Sequence, residues 1–284
     1  MGLFLDRAQA NHTLHGSQGK PMTHHRQHTN LFSKRAGKSA ALILAVVVVV
    51  VVILLAAMAY MFMGSAGPAP LPVPTPNAYD EMTKLGAGVV GALDVTGADE
   101  AALEKFLADN SAILNALDTA IQYDSVVPTD HDTASPSIDV AATRDAHRLR
   151  HAEAELATMH DNPVVAVNSF LKLIVAARKL QLGGFSVHKL MASGFERMAW
   201  TRIGELADQL SSQEKAALLK ELNSLPPKNL GNYQDREKAA GVKAVGRVRA
   251  FLMRRHTQET FDRVEEVLAE VEAIEHATME KLER

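Results

Sequence analysis

Histidines and carboxylates at helical spacing are the first candidates for chemistry in this 284-residue chain. His147, His151 and Glu155 stand four residues apart, so on a helix two imidazoles and a carboxylate share one face, as a single zinc ion requires. Their neighbours Arg144, Arg148 and Arg150 make a solvated charged face the better account of that stretch. His24 and His28 repeat the spacing in an N-terminal run with no helical or strand period, and a solvated polar tail is the plainer reading there. Asp124, Asp130, Asp132 and Asp139 fall in a turn-rich segment, but a calcium loop needs further regularly spaced oxygens and a tight-turn glycine.

Gly86, Gly88 and Gly91 spell G-x-G-x-x-G, which binds dinucleotides only when a buried strand precedes it. Here AYDEMTKL precedes it, so close packing against a neighbouring helix or local flexibility is expected instead. His160-Asp161 and Ser186-Val187-His188 are the polar clusters that would motivate an envelope enzyme. Serine and histidine two residues apart make no triad without a positioned carboxylate and oxyanion donors. With no cysteine in the chain, thiolate chemistry and disulfides are excluded as well. The sequence nominates no catalytic, cofactor-binding or metal-binding residue, and the chain is read as a non-enzyme.

What would position these groups is decided first by Ala40 to Met63, a run with no charged side chain. As a helix rising about 1.5 Å per residue it is long enough for a hydrocarbon core of about 30 Å. Seven consecutive valines, Val46 to Val52, would favour a strand in water. An isolated strand in lipid leaves its backbone groups unpaired, so a single transmembrane helix over 39–63 is expected. Lys34, Arg35 and Lys38 precede it, and no basic residue follows before Lys84, which sets the N-terminus in the cytoplasm and the rest outside, as an uncleaved signal anchor. A cleaved signal peptide is the rival, with Gly64-Ser65-Ala66 as its peptidase site, but the apolar run exceeds the usual length. The formal charge of −3 divides accordingly, with +5 on residues 1–38 and −8 on the remainder.

Residues 1–38 read as a disordered basic tail. Residues 64–77, with prolines at 68, 70, 72, 74 and 76, read as an extended Pro-rich stalk holding the outer domain clear of the bilayer. Beyond it the pattern is helical throughout, giving an all-α outer domain over 78–232. Thr96 to Asp99 has capping spacing for a helix from Ala98 to Gln122. Further helices are expected over Asp139 to His160, Val164 to Leu182 behind Pro163, Val187 to Leu210 with Trp200 in the core, and from Ser211 to Leu225 before Pro226-Pro227. Residues 233–284 read as a helical hairpin that turns at His256-Thr257. Its first arm, Asp235 to Arg255, carries +5 and its second, Thr257 to Arg284, carries −6, so mutual pairing is expected.

Asp161-Asn162-Pro163 followed by Ala166-x-x-x-Phe170 resembles the start of the second helix of a tetratricopeptide-type pair. The stretch His160 to Pro227 is similar to uncharacterised membrane-anchored helical ectodomains of bacteria. The resemblance implies stacked helix hairpins and protein binding, and it carries no catalytic residues. The expectation is a bacterial inner-membrane, single-pass protein whose outer domain is a scaffold or adaptor. Its partners are the lipid bilayer and a protein, not nucleic acid.

Overall fold

The computed structural model describes residues 48–54, 68–128, 140–226, 228, 231–245 and 254–284. Every regular element among them is helical, as an all-α chain requires. Residues 48–54 form a helix in a compact unit of their own, with side chains 46% to 60% exposed. The rest of the 39–63 run lies outside the described residues, and among the described ones no helix is long and apolar enough to cross a membrane. The tail histidines, Asp130, Asp132 and Asp139 also lie outside them.

The second unit begins with 68–77, which carries no helix. It does not stand clear as a stalk: Leu71 is half-buried and Ala69 O accepts a bond from Arg236 at 3.4 Å. Nine helices follow among the described residues. They are α1 Ala78–Ala87, α2 Glu100–Asp109, α3 Ser111–Ala120, α4 Val140–Met159, α5 Pro163–Arg178, α6 Ser186–Leu206, α7 Ser212–Asn223, α8 Tyr233–Val245 and α9 Arg254–Glu283. Consecutive pairs α4–α5 and α5–α6 pack side by side; α1 and α2 cover α4, and α9 lies along α6 and α7. Short connections force such neighbours to lie together.

Local chemistry sets several boundaries. Asp99 accepts from Ala102 N at 2.8 Å and caps α2, so the cap is Asp99 rather than Thr96. Pro163 opens α5 behind Asn162, whose side chain accepts from Val165 N at 3.3 Å. Ser211 and Glu214 form the reciprocal box that opens α7. The long helix expected over 98–122 is broken at Asn110. Its carboxamide donates to Phe106 O at 2.8 Å and exchanges bonds with both backbone groups of Val90, at 2.7 and 3.0 Å. A buried side chain that serves backbone groups offers the chain an alternative to the helical ladder. Asn77 does the same for Val126, at 2.9 and 3.0 Å, and so ties the start of α1 to the loop after α3.

One apolar cluster holds Phe170, Ile174, Trp200 and Ile203 together with Val271 and Leu282 of α9. A second holds Met82, Leu103, Phe106, Leu117, Leu149 and Leu180. The C-terminal segment is therefore docked in the main core, and α9 runs through His256 and Thr257 without a turn there. Its acids pair with the bundle: Glu275 with Arg178 and Lys228, and Glu270 with Arg197. α8 meets it through Tyr233, edge-on to Phe261 and with its hydroxyl 2.8 Å from Glu265, and through Lys238 of the basic arm, 5.2 Å over the Phe261 ring.

Gly86 is where α1 meets α4. A Cβ added there would stand 1.8 Å from Ala142 O, whereas one at Gly194 in α6 meets nothing within 4 Å. Gly86→Ala should therefore destabilise the chain by about 1–3 kcal/mol or more, as overpacking does. Gly194→Ala should stabilise it by up to about 1 kcal/mol through helix propensity. Urea unfolding followed by circular dichroism measures both, and shifts of the same sign would contradict this packing.

Candidate functional site

The densest group of ionisable side chains gathers where α6 begins. Gly183 holds φ +81°, and after the turn Ser186, His188 and Lys189 occupy the first turn of α6. Phe185 at the N-cap has no side-chain acceptor, so the cap comes from another helix. Glu237 of α8 accepts from Ser186 N at 2.8 Å and from Ser186 Oγ at 2.5 Å. A carboxylate there satisfies orphan donors and meets the positive end of the helix dipole.

His188 Nδ1 accepts from Phe185 N at 3.1 Å, which leaves the ring proton on Nε2, 3.4 Å from the Tyr79 hydroxyl. Burial, reinforced by the neighbouring Lys189, pulls the His188 pKa down to about 4. Lys189 is fully buried; its Nζ donates to Gln181 O and sits 5.6 Å from the centre of the Tyr233 ring. Burial, with Arg236 adding repulsion, brings its pKa down to about 7. Burial holds Tyr233 up at about 12. Beside these groups lies a cleft of about 280 Å³ bounded by Leu71, Leu182, Gly183, Tyr233 and Arg236.

Ser186 and His188 are thus neighbours without a relay between them. The carboxylate bonds to the serine hydroxyl itself, and the imidazole is spent on Phe185 and Tyr79. This geometry joins α1, α6 and α8.

Further along the same stripe of α6 lies Glu196, also fully buried. Gln181 Nε2 donates to it at 2.5 Å and Arg178 Nε at 3.4 Å. Burial raises its pKa against the opposing charge of Arg178. Arg178 continues to Pro226 O and Glu275 Oε1, both at 2.8 Å.

The face of α4 read as solvated is mostly buried. His147, Arg150 and His151 are 1%, 1% and 5% exposed. Nδ1 of His147 donates to Thr143 O at 2.8 Å and its ring stacks on Phe195, centroids 4.7 Å apart; burial lowers its pKa. Nε2 of His151 turns to Glu155 at 3.3 Å, and Arg202 clasps the same carboxylate at 3.0 and 2.7 Å. Although burial pulls Glu155 upward, these bonds hold its pKa below the usual range. The three do not converge on a metal position. Arg150 is spent on Asp118 at 2.6 Å and Glu153 at 2.9 Å. Arg144 stays exposed at the rim of a groove of about 400 Å³, whose walls include Leu93, Arg148, Phe195 and Met198.

Among the described residues, the group whose donor atoms do converge is Glu100 and Glu104 of α2 with His160 after α4. Sequence reasoning singled out His160 but not its partners, 60 and 56 residues away. Lys189 and Glu196 had a visible signal: seven residues apart, they share the helical stripe of Ala192, Ala199 and Ile203, where a charge stands out. Compared with protein-family models, curated proteins and solved structures, the chain matches none.

Lys189 sets a pH dependence whose sign can be worked out. The unfolded chain keeps this proton to about pH 10.4, whereas the folded protein releases it near 7. Between those values the unfolded state binds more protons, so stability rises with pH, on the order of 3 kcal/mol from pH 7 to 10. Tyr233 opposes this only above about pH 10, where the unfolded phenol ionises first. Lys189→Met should remove most of the rise, and Lys179, an amine also held low by burial, supplies the remainder. Urea midpoints at pH 7, 8, 9 and 10 test it, and an undiminished rise in the variant would refute the assignment.

Proposed function

We propose that this chain is a single-pass, membrane-anchored envelope protein of a bacterial inner membrane, whose helical outer domain is a scaffold or adaptor for a protein partner. The uncharged run from Ala40 to Met63 behind Lys34, Arg35 and Lys38 carries this reading. The exposed apolar side chains of the helix at 48–54, Val48 to Val52 with Ile53 and Leu54, are consistent with it, since such a surface suits lipid. The groove beside α4 and α6 supports the binding part. Its apolar wall, Leu93, Phe195 and Met198, offers buried contact area. Arg144, its side chain 53% exposed and 3.8 Å from Asp145, stands at the rim where a partner's carboxylate could meet it.

The expected topology is N-terminus inside and C-terminus outside. Protease added to spheroplasts should remove residues 78–284 and spare the tail; a protected C-terminus would sink the reading. A photo-crosslinker at Met198 in intact membranes should give a protein adduct. Arg144→Glu should weaken that adduct several-fold, whereas Lys220→Glu on α7 should leave it unchanged. Adducts indifferent to Arg144 would place binding elsewhere.

A further inference from the structure

We infer that Glu100, Glu104 and His160 form a site for a divalent first-row transition metal of the zinc class. Nε2 of His160 lies 2.9 Å from Glu100 Oε1 and 3.8 Å from Glu104 Oε1, and all three donor atoms lie within 4.8 Å of one another. Ligands held about 2.0–2.2 Å from zinc in a tetrahedron stand roughly 3.4 Å apart. The two measured separations bracket that edge, and the third lies within 4.8 Å, so side-chain rotation of the exposed groups would seat an ion.

The donors come from two separately fixed elements. Glu100 and Glu104 are one turn apart at the start of α2, whose register is set by the Asp99 cap. His160 extends α4 by a bond from its N–H to Leu156 O. A like-charged i,i+4 pair on a helix is unfavourable unless something neutralises it. Two other acids of α2 and α3 have basic partners, Asp109 with Lys105 and Asp118 with Lys172. Glu100 and Glu104, among the described residues, pair only with His160. The imidazole also sets selectivity, because calcium and magnesium take oxygen ligands whereas zinc accepts mixed nitrogen and oxygen. Three protein donors leave a coordination position for water or a partner's side chain. An ion there would tie α2 to the α4–α5 turn.

All three side chains are exposed, so their variants should fold. Zinc chloride is titrated into the full-length chain in detergent and the melting temperature read. At zinc a hundredfold above Kd, the wild type should melt about 5 °C higher, while calcium and magnesium should do nothing. His160→Ala and Glu100→Gln/Glu104→Gln should each abolish the rise, and calorimetry should show one site fewer than wild type. The double variant keeps all twelve histidines, which separates this site from zinc held by the N-terminal tail. No rise in the wild type at millimolar zinc, or a rise that survives both variants, would overturn the proposal.

Discussion

The guanidinium of Arg178 is the contact on which the arrangement of the helical domain depends. It is 9% exposed at the end of α5 and reaches Glu196 on α6, Pro226 O beyond α7 and Glu275 on α9. Desolvating such a pair costs several kcal/mol per ion, and only good geometry with every donor spent offsets it. Here each of the three guanidinium nitrogens has a partner, and Gln181 and Lys228 add bonds to Glu196 and Glu275. A lysine could not replace it, since a point charge cannot serve three separate acceptors from one rigid fork. The consequence is structural: α9 cannot leave without stripping a partner from a buried charge. The C-terminal helix is part of the core and not an appendage.

The interfaces around that node are made of small residues. Ala152, Ala154, Ala166, Ala177, Ala192 and Ala199 are all 0% exposed. Alanine brings helix axes close and makes backbone-to-backbone fit the limiting factor, which Gly86 against Ala142 shows in its extreme form. Aromatics are only 5% of the chain, so each cluster is built round few large rings, Phe170 and Trp200 in one and Tyr79 and Phe106 in the other. Close-packed interiors of this kind tolerate little added volume.

Helix existence was legible from residue type and period, because α5 and α7 carry their own caps. The Pro163 start and the Ser211–Glu214 box sit where local chemistry alone puts them. The Asn110 break was not legible, since its cause is a bond to Val90, twenty residues away. Nor was the burial of His147, Arg150 and His151. Three arginines in seven residues read as solvent-facing, yet Asp118 from α3 and Phe195 from α6 close over that face. Charge totals say nothing of direction: the carboxylates at 270 and 275 of the acidic helix pair with Arg197, Arg178 and Lys228, while Lys238 of the basic arm stands 5.2 Å over the Phe261 ring. The candidate site was half legible: Ser186 and His188 were visible as a pair, but their partners Glu237 and Tyr79 lie 51 and 109 residues away.

Those partners also bear on how the domain is carried. Five prolines remove five donors and stiffen residues 68–76, which argued for a spacer free along its length. Stiffness, however, does not specify direction. Ala69 is bonded to Arg236, itself 7% exposed, and Leu71 lines the cleft beside Gly183 and Tyr233. This strap also rests on α8, the helix whose Glu237 caps α6. A shift of α8 would thus be felt at both the strap and the first turn of α6, through two hydrogen-bonded contacts that adjacent residues, Arg236 and Glu237, make on one helix.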